Sequence, residues 1–80
     1  RLSRILVILP DRPGHLARLT QRVGKEGANI VQIEHLRGFG QMAIGETEVA
    51  LTLETTGWDH IHRIYKALRE EGLQINEERY

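Results

Sequence analysis

Apolar residues recur along this chain in two rhythms, and the rhythms alternate. Leu2 to Leu9 is apolar at almost every position and rich in β-branched residues, which predicts a strand buried on both faces. Leu16, Leu19 and Val23 then fall at helical spacing. Ala28 to Arg37 reads as a second strand, and the glycine-rich stretch Arg37 to Gly45 as the loop after it. Thr47, Val49, Leu51 and Leu53 alternate with more polar neighbours, as in a half-buried strand. Ile61, Ile64, Tyr65 and Leu68 restore the helical period, and Gln74 to Arg79 supplies a closing strand. Pro13 suits the first turn of the first helix, where a missing N–H costs little. Gly27 and Gly72 stand where a helix C-terminus favours a left-handed residue.

The order is a repeat. Leu6–Ile30 and Leu51–Ile75 match in pattern at a constant offset of 45 positions, pairing Leu16 with Ile61, Leu19 with Ile64, Val23 with Leu68 and Gly27 with Gly72. Two copies are too few for a solenoid. They suit two interlocked β-α-β halves, about residues 2–37 and 46–79, of one domain. With right-handed crossovers the expected fold is α+β: a ferredoxin-like βαββαβ unit, with a four-stranded antiparallel sheet and both helices on one face. No helix remains to cover the other face. Ile5, Val7 and Leu9 lie opposite Leu6 and Ile8, so the open face is expected to carry apolar surface and to meet a partner.

Composition sharpens the need for a partner. A chain of 80 residues buries only about 60% or a little more of its unfolded surface. Small scaffolds add disulfides, a metal or another subunit, and with no cysteine the last is expected. Eleven Lys+Arg balance eleven Asp+Glu, which argues against a nucleic-acid partner, because phosphate neutralisation calls for a basic excess. The longest apolar run, Ile5 to Pro10, is too short to span a membrane. No secretory leader pattern opens the chain, and the lack of cysteine fits a reducing compartment, so a cytoplasmic location is expected. An opening Arg1 in place of Met fits a piece of a longer protein.

The chemistry concentrates in Pro10-Asp11-Arg12-Pro13-Gly14-His15-Leu16, between the first strand and the first helix. A helix N-terminus presents amides without intrahelical partners at the positive end of the helix dipole, which suits a carboxylate. Gly14 allows close approach to the backbone, and Asp11 or Asn29 offers an acceptor for an ammonium. Together these groups match a free amino acid. The same residues also serve as ordinary turn chemistry, with Asp11 a plain helix cap.

The stretch LPDRPGHLARLTQRVGKEGANI resembles the opening of ACT domains, small-molecule sensors attached to amino-acid metabolic enzymes. In that family a D-R-P-G-x-L turn leads into helix one and an A-N-I segment opens strand two. The likeness covers essentially the whole chain. Ile33-Glu34-His35, the glycine-containing hairpin and Gly45-Glu46-Thr47-Glu48-Val49 look like the C-terminal ACT domain of catabolic-type threonine dehydratases. The resemblance implies that two domains pair, often into one continuous sheet through an edge strand, and bind an amino acid where they meet. Carried over by position, the ligand contacts fall to Asp11, Pro13, Gly14, His15, Leu16, Asn29 and Ile30, with Arg12 and His15 variable in kind. It further implies a regulatory domain with no catalytic residues and no cofactor of its own. Such a domain works as a homodimer or higher homo-oligomer, attached to an enzyme, associated with one, or standing alone. Which amino acid it senses is left open. The alternative is a ligand-free structural dimerisation module.

Other signals weigh less. Arg37-Gly38-Phe39-Gly40 opens like an RNA-recognition motif, but Gln41 and Ile44 stand where aromatic platforms are needed, and the first strand has no aromatic residue. Gly38-x-Gly40 lacks the third glycine and the following helix of a dinucleotide fingerprint. His60 and His62 are two apart on a helix and point to different sides. With no cysteine and no convergent carboxylates, no metal site is expected. Ser3, the only serine, has no catalytic companions. Trp58 is expected to anchor the second helix against the sheet or a partner. Glu70-Glu71 and Glu77-Glu78 are expected as solvated surface, with weak helical pairs to Arg63, Lys66 and Arg69.

Overall fold

The computed structural model describes residues 1–36 and 43–78. The elements follow as β1 (Leu2–Pro10), α1 (His15–Lys25), β2 (Asn29–Leu36), β3 (Glu46–Glu54), α2 (Trp58–Glu70) and β4 (Gln74–Glu78). They form one sheet in the order β2-β3-β1-β4, with every neighbouring pair antiparallel. The expected ferredoxin-like arrangement is therefore the observed one. Because β3 runs against both of its neighbours, β1 and β2 are parallel, and β2 and β4 are the two edges. Arg37 to Met42, with the RNA-motif-like residues, and Arg79 lie outside the described residues.

Register decides which face is buried. Ile5 pairs with Leu51 and Val7 with Val49 and Ile75, so these side chains share one face. With Leu9 and Leu53 they meet Leu19 and Val23 of α1 and Ile61, Ile64, Tyr65 and Leu68 of α2 in a single apolar cluster. This corrects the expectation for the open face. Ile5, Val7 and Leu9 lie inside, under the helices. The open face carries Leu6, Ile8 and Ala50 among Arg4, Glu34, Glu48 and Thr52, and Arg4 pairs with Glu34 at 3.2 Å. The open face is mixed in polarity. An apolar run with no alternation hides this, because it does not say which side the helices will cover.

Glycine sets where the helices begin and end. Both end in the same way: Ala28 and Gly27 donate to the carbonyls of Val23 and Gly24, and Leu73 and Gly72 to those of Leu68 and Arg69. In each case a glycine in the left-handed region, φ 86° at Gly27 and 85° at Gly72, turns the chain so that the last carbonyls are satisfied. The start of α1 differs from the expectation. Gly14 is the N-cap with φ 93°, no side chain caps the helix, and Pro13 lies in the turn before it. A left-handed residue cannot belong to a right-handed helix. The helix therefore starts at His15, and neither Pro13 as a first-turn residue nor Asp11 as a cap holds.

One buried polar side chain joins the two helices. His60 is 4% exposed, its Nδ1 accepts the Thr56 N–H at 3.1 Å, and its Nε2 lies 2.6 Å from the Glu26 carbonyl. These partners require a neutral ring with the proton on Nε2. His62 is exposed, so the two histidines do point apart. Trp58 is not a core anchor: it is 56% exposed, with the Arg1 guanidinium 3.9 Å from its ring centre and His62 at 6.1 Å. Arg22 lies 3.3 Å from Glu71, which links the last turn of α1 to the end of α2.

His60→Ala removes the partners of two backbone groups and is expected to cost about 2 kcal/mol, or roughly 10 °C in Tm, measured by thermal unfolding. Gly24, inside α1, and Gly72, just past α2, both have open space where a Cβ would stand. Gly24→Ala is therefore expected to stabilise the chain by about 0.5–1 kcal/mol in denaturant unfolding. Gly72→Ala is expected to destabilise it by about 1–2 kcal/mol, because only the second must hold a left-handed alanine.

Candidate functional site

The turn after β1 is held by backbone bonds. Asp11 N–H donates to the Gly45 carbonyl at 2.7 Å, which ties the turn to the start of β3. Arg12 N–H donates to Pro10 at 2.9 Å, and Arg18 N–H to Gly14 at 3.0 Å. Since Arg18 makes the first bond of the helical ladder, the amides of Leu16 and Ala17 stand at the open end of α1. There is no acidic residue in the first turn of α1, so its positive end is not offset locally. Nothing lies within 4 Å of where a Gly14 Cβ would be. Glycine is required there for its backbone angle, and the space above it is free for a ligand.

Asp11, Pro13 and Gly14 are exposed in this turn, and His15 and Leu16 are half-buried at the first positions of the helix. The structure thus brings five of the seven expected residues into one surface. It does not bring the other two there. Asn29 is level with Glu54 and hence with Leu2, whereas the turn leaves the sheet where Pro10 is level with Glu46. Eight strand residues separate the two levels, about 26 Å at the usual rise. Within one protomer Asn29 is therefore not near the turn, and its side chain donates to Glu54 at 3.4 Å. Ile30 is half-buried and packs on the core cluster.

The β2 edge adds a feature that the strand pattern did not show. The register of β2 against β3 shifts between Ile30 and Gln32, which makes Val31 an extra residue. Val31 is 54% exposed and Ile33 41% exposed on this edge strand. Sequence reading also missed a cleft beside the turn, to which His15 and Arg18 contribute. Its other wall comes from the α2–β4 corner, which is distant in sequence, so no local pattern signals it. Among the described residues there is no group of three or more His, Cys, Asp or Glu side chains placed to hold a metal. Nor is any helix among them long and apolar enough to cross a membrane.

Comparison with known proteins agrees with this architecture. No family model matches the chain. An L-threonine ammonia-lyase of Geobacter sulfurreducens is 38% identical over 76 residues, which cover 95% of this chain and 19% of that protein. One from Thermotoga maritima is 34% identical over 65 residues, covering 81% of this chain and 16% of that protein. The chain thus spans less than a fifth of the length of these relatives. Among solved structures, the ACT domain of a Chlorobium tepidum GTP pyrophosphokinase superposes with a TM-score of 0.72 at 19% identity, covering 96% of each chain. The regulatory subunit of aspartate kinase from Thermus thermophilus gives 0.71 at 21% identity, over 96% of this chain and 50% of that one. In fold this chain is like the ACT domain of that GTP pyrophosphokinase, and in sequence it is like a part of the L-threonine ammonia-lyases.

Proposed function

We propose that this chain is a regulatory domain that pairs through β2 and senses a free amino acid held between the two copies. The observation that carries the proposal is the separation of the turn and Asn29 to opposite ends of one sheet. A two-fold axis beside β2 joins the two sheets edge to edge with their β2 strands antiparallel. That operation brings Asn29 and Ile30 of the partner subunit to the end of the sheet that carries Asp11, Pro13, Gly14, His15 and Leu16. The exposed Val31 and Ile33 support the choice of edge, since pairing covers apolar area along with the unpaired backbone groups of the strand.

In this arrangement the amides of Leu16 and Ala17 receive the ligand carboxylate, while Asp11 and Asn29 of the partner subunit receive its ammonium. A ligand that contacts both copies binds best to the paired state and stabilises it. Coupling of about 1–3 kcal/mol is the usual scale for such a device. The likeness to L-threonine ammonia-lyases supports amino-acid metabolism as the chemistry that is regulated. On this reading the domain is not itself an enzyme, needs no cofactor, and acts in the cytoplasm.

Titration calorimetry against the twenty amino acids, with the solution mass recorded at each step, tests the proposal. Saturable heat from one or a few amino acids by a dimer is expected. A dimer that is silent across the whole panel favours a structural module instead. Val31→Lys together with Ile33→Lys is expected to yield monomers by sedimentation and to abolish the heat. Asp11→Ala should remove binding while the far-ultraviolet spectrum is retained, because the Asp11 side chain is exposed; unchanged affinity in that variant rejects the site.

A further inference from the structure

We propose that α1 packs against α1 of a second copy, and that this helix contact, centred on Thr20, forms one wall of each amino-acid site. The inference rests on the pairing through β2 proposed above and extends it from the sheet to the helix layer. α1 packs beside β2 and α2 beside β4, so α1 is the helix nearer the paired edge. Four strands about 4.8 Å apart carry two helices about 10 Å apart. A two-fold axis half a strand spacing beyond β2 then leaves α1 and its copy about 9 Å apart, a distance at which helices pack.

The flank of α1 turned to that edge suits close approach. Leu19 and Val23 meet the core, while Arg22 and Glu26 reach α2: Arg22 lies 3.3 Å from Glu71, and the Glu26 carbonyl 2.6 Å from His60. Arg18 and Lys25 lie on that same side, around a hollow shared with Arg22 and Glu71. Arg18, Arg22 and Lys25 are thus kept off the opposite flank, which holds Ala17, Thr20 and Gly24 at helical spacing. The Thr20 hydroxyl donates to the Ala17 carbonyl at 3.0 Å, so this flank carries no unpaired side-chain donor. Gly24 is the independent sign. It lies inside the helix without a positive φ, and nothing stands within 4 Å of its Cβ position. Glycine weakens a helix relative to alanine, and no contact among the described residues calls for it. The close approach of another helix does.

Thr20 is the middle residue of α1, and α1 runs antiparallel to β2, so an axis through the middle of β2 passes near it. The two helices then lie antiparallel, with Ala17 set against Gly24 of the partner subunit. Each positive helix end stands beside the negative end of the other, which favours the contact. Ala17 carries one of the two amides assigned to the ligand carboxylate, so the partner's helix stands next to the bound ligand. That helix end leads on to Asn29 of the partner subunit, the residue already assigned to the ammonium.

The chain has no cysteine, which makes Thr20→Cys a clean probe. A short bis-maleimide is expected to join Thr20→Cys chains into covalent dimers at micromolar concentration. It is expected to leave Lys25→Cys, on the far flank, monomeric on a denaturing gel. Gly24→Leu, at an exposed position, is expected to keep the far-ultraviolet spectrum and to weaken pairing at least about tenfold by sedimentation. Gly24→Ala, whose methyl group still fits at this separation, is expected to weaken it by less than about threefold. Equal cross-linking of the two cysteine variants, or undiminished pairing of Gly24→Leu, overturns the helix contact. A failure of β2 pairing reads differently. Val31→Lys with Ile33→Lys then leaves the dimer intact, while Thr20→Cys still cross-links and the helix contact stands without the shared edge. A monomeric parent chain overturns both.

Discussion

Everything in this chain hangs on the covering of one sheet face by two helices that come from equivalent places in a repeat. Ile5, Val7, Leu9, Val49, Leu51, Leu53 and Ile75 must all be buried, and only two short helices are available to do it. Leu19 and Val23 from one helix and Ile61, Ile64 and Leu68 from the other meet them because each helix returns across the same face. Right-handed crossovers permit that return only if the strands are ordered β2-β3-β1-β4. The order in turn makes β1 and β2 parallel and places β2 at an edge. The position of the turn, the position of Asn29 and the exposure of Val31 and Ile33 all follow from it.

Polar contacts between described residues tie the two helices together. His60 spans from the start of α2 to the Glu26 carbonyl at the end of α1, and Arg22 reaches from α1 to Glu71 at the end of α2. One contact is buried and the other half-exposed; both leave the C-terminal end of α1 and reach opposite ends of α2. The buried one carries most of the stabilisation, since exposed ion pairs contribute about 0–1 kcal/mol. Both helix ends that adjoin the sheet are closed by a left-handed glycine, Gly27 or Gly72. Gly14, at φ 93°, opens α1 instead, and α2 likewise opens on a positive-φ glycine, Gly57 at φ 153°. The residues of the turn assigned to ligand binding are not repeated, since Pro13-Gly14-His15 stands against Trp58-Asp59-His60 in the second half.

Much of the fold was legible because it rests on periodicity. Leu16, Leu19 and Val23 gave the first helix, and the alternation Thr47-Val49-Leu51-Leu53 gave the third strand with its inward face. Where the pattern lost its period, the reading lost its direction: the continuous run Ile5 to Leu9 did not say which side the helices take. Of the two places expected for Trp58, the sheet is not the one it takes, since it is exposed at the start of α2 with the Arg1 guanidinium over its ring. The turn was legible as a unit, since its residues are consecutive. The distance from it to Asn29 was not, because strand direction and register are set by the whole sheet. The cleft at Arg18, Glu71 and Leu73 was invisible for the same reason.

The central claim is that each amino-acid site is built from the turn of one copy and Asn29 of the other. Two variants, Asp11→Ala and Asn29→Ala, are each silent in calorimetry on this account, because every site in either homodimer lacks one half. Refolded together, they form heterodimers in which one site has both native residues and the other has neither. The account predicts that the mixture regains saturable binding at roughly a quarter of the wild-type site number, with wild-type affinity. A mixture as silent as its two components would show that Asp11 and Asn29 do not meet across the interface, and would contradict the account.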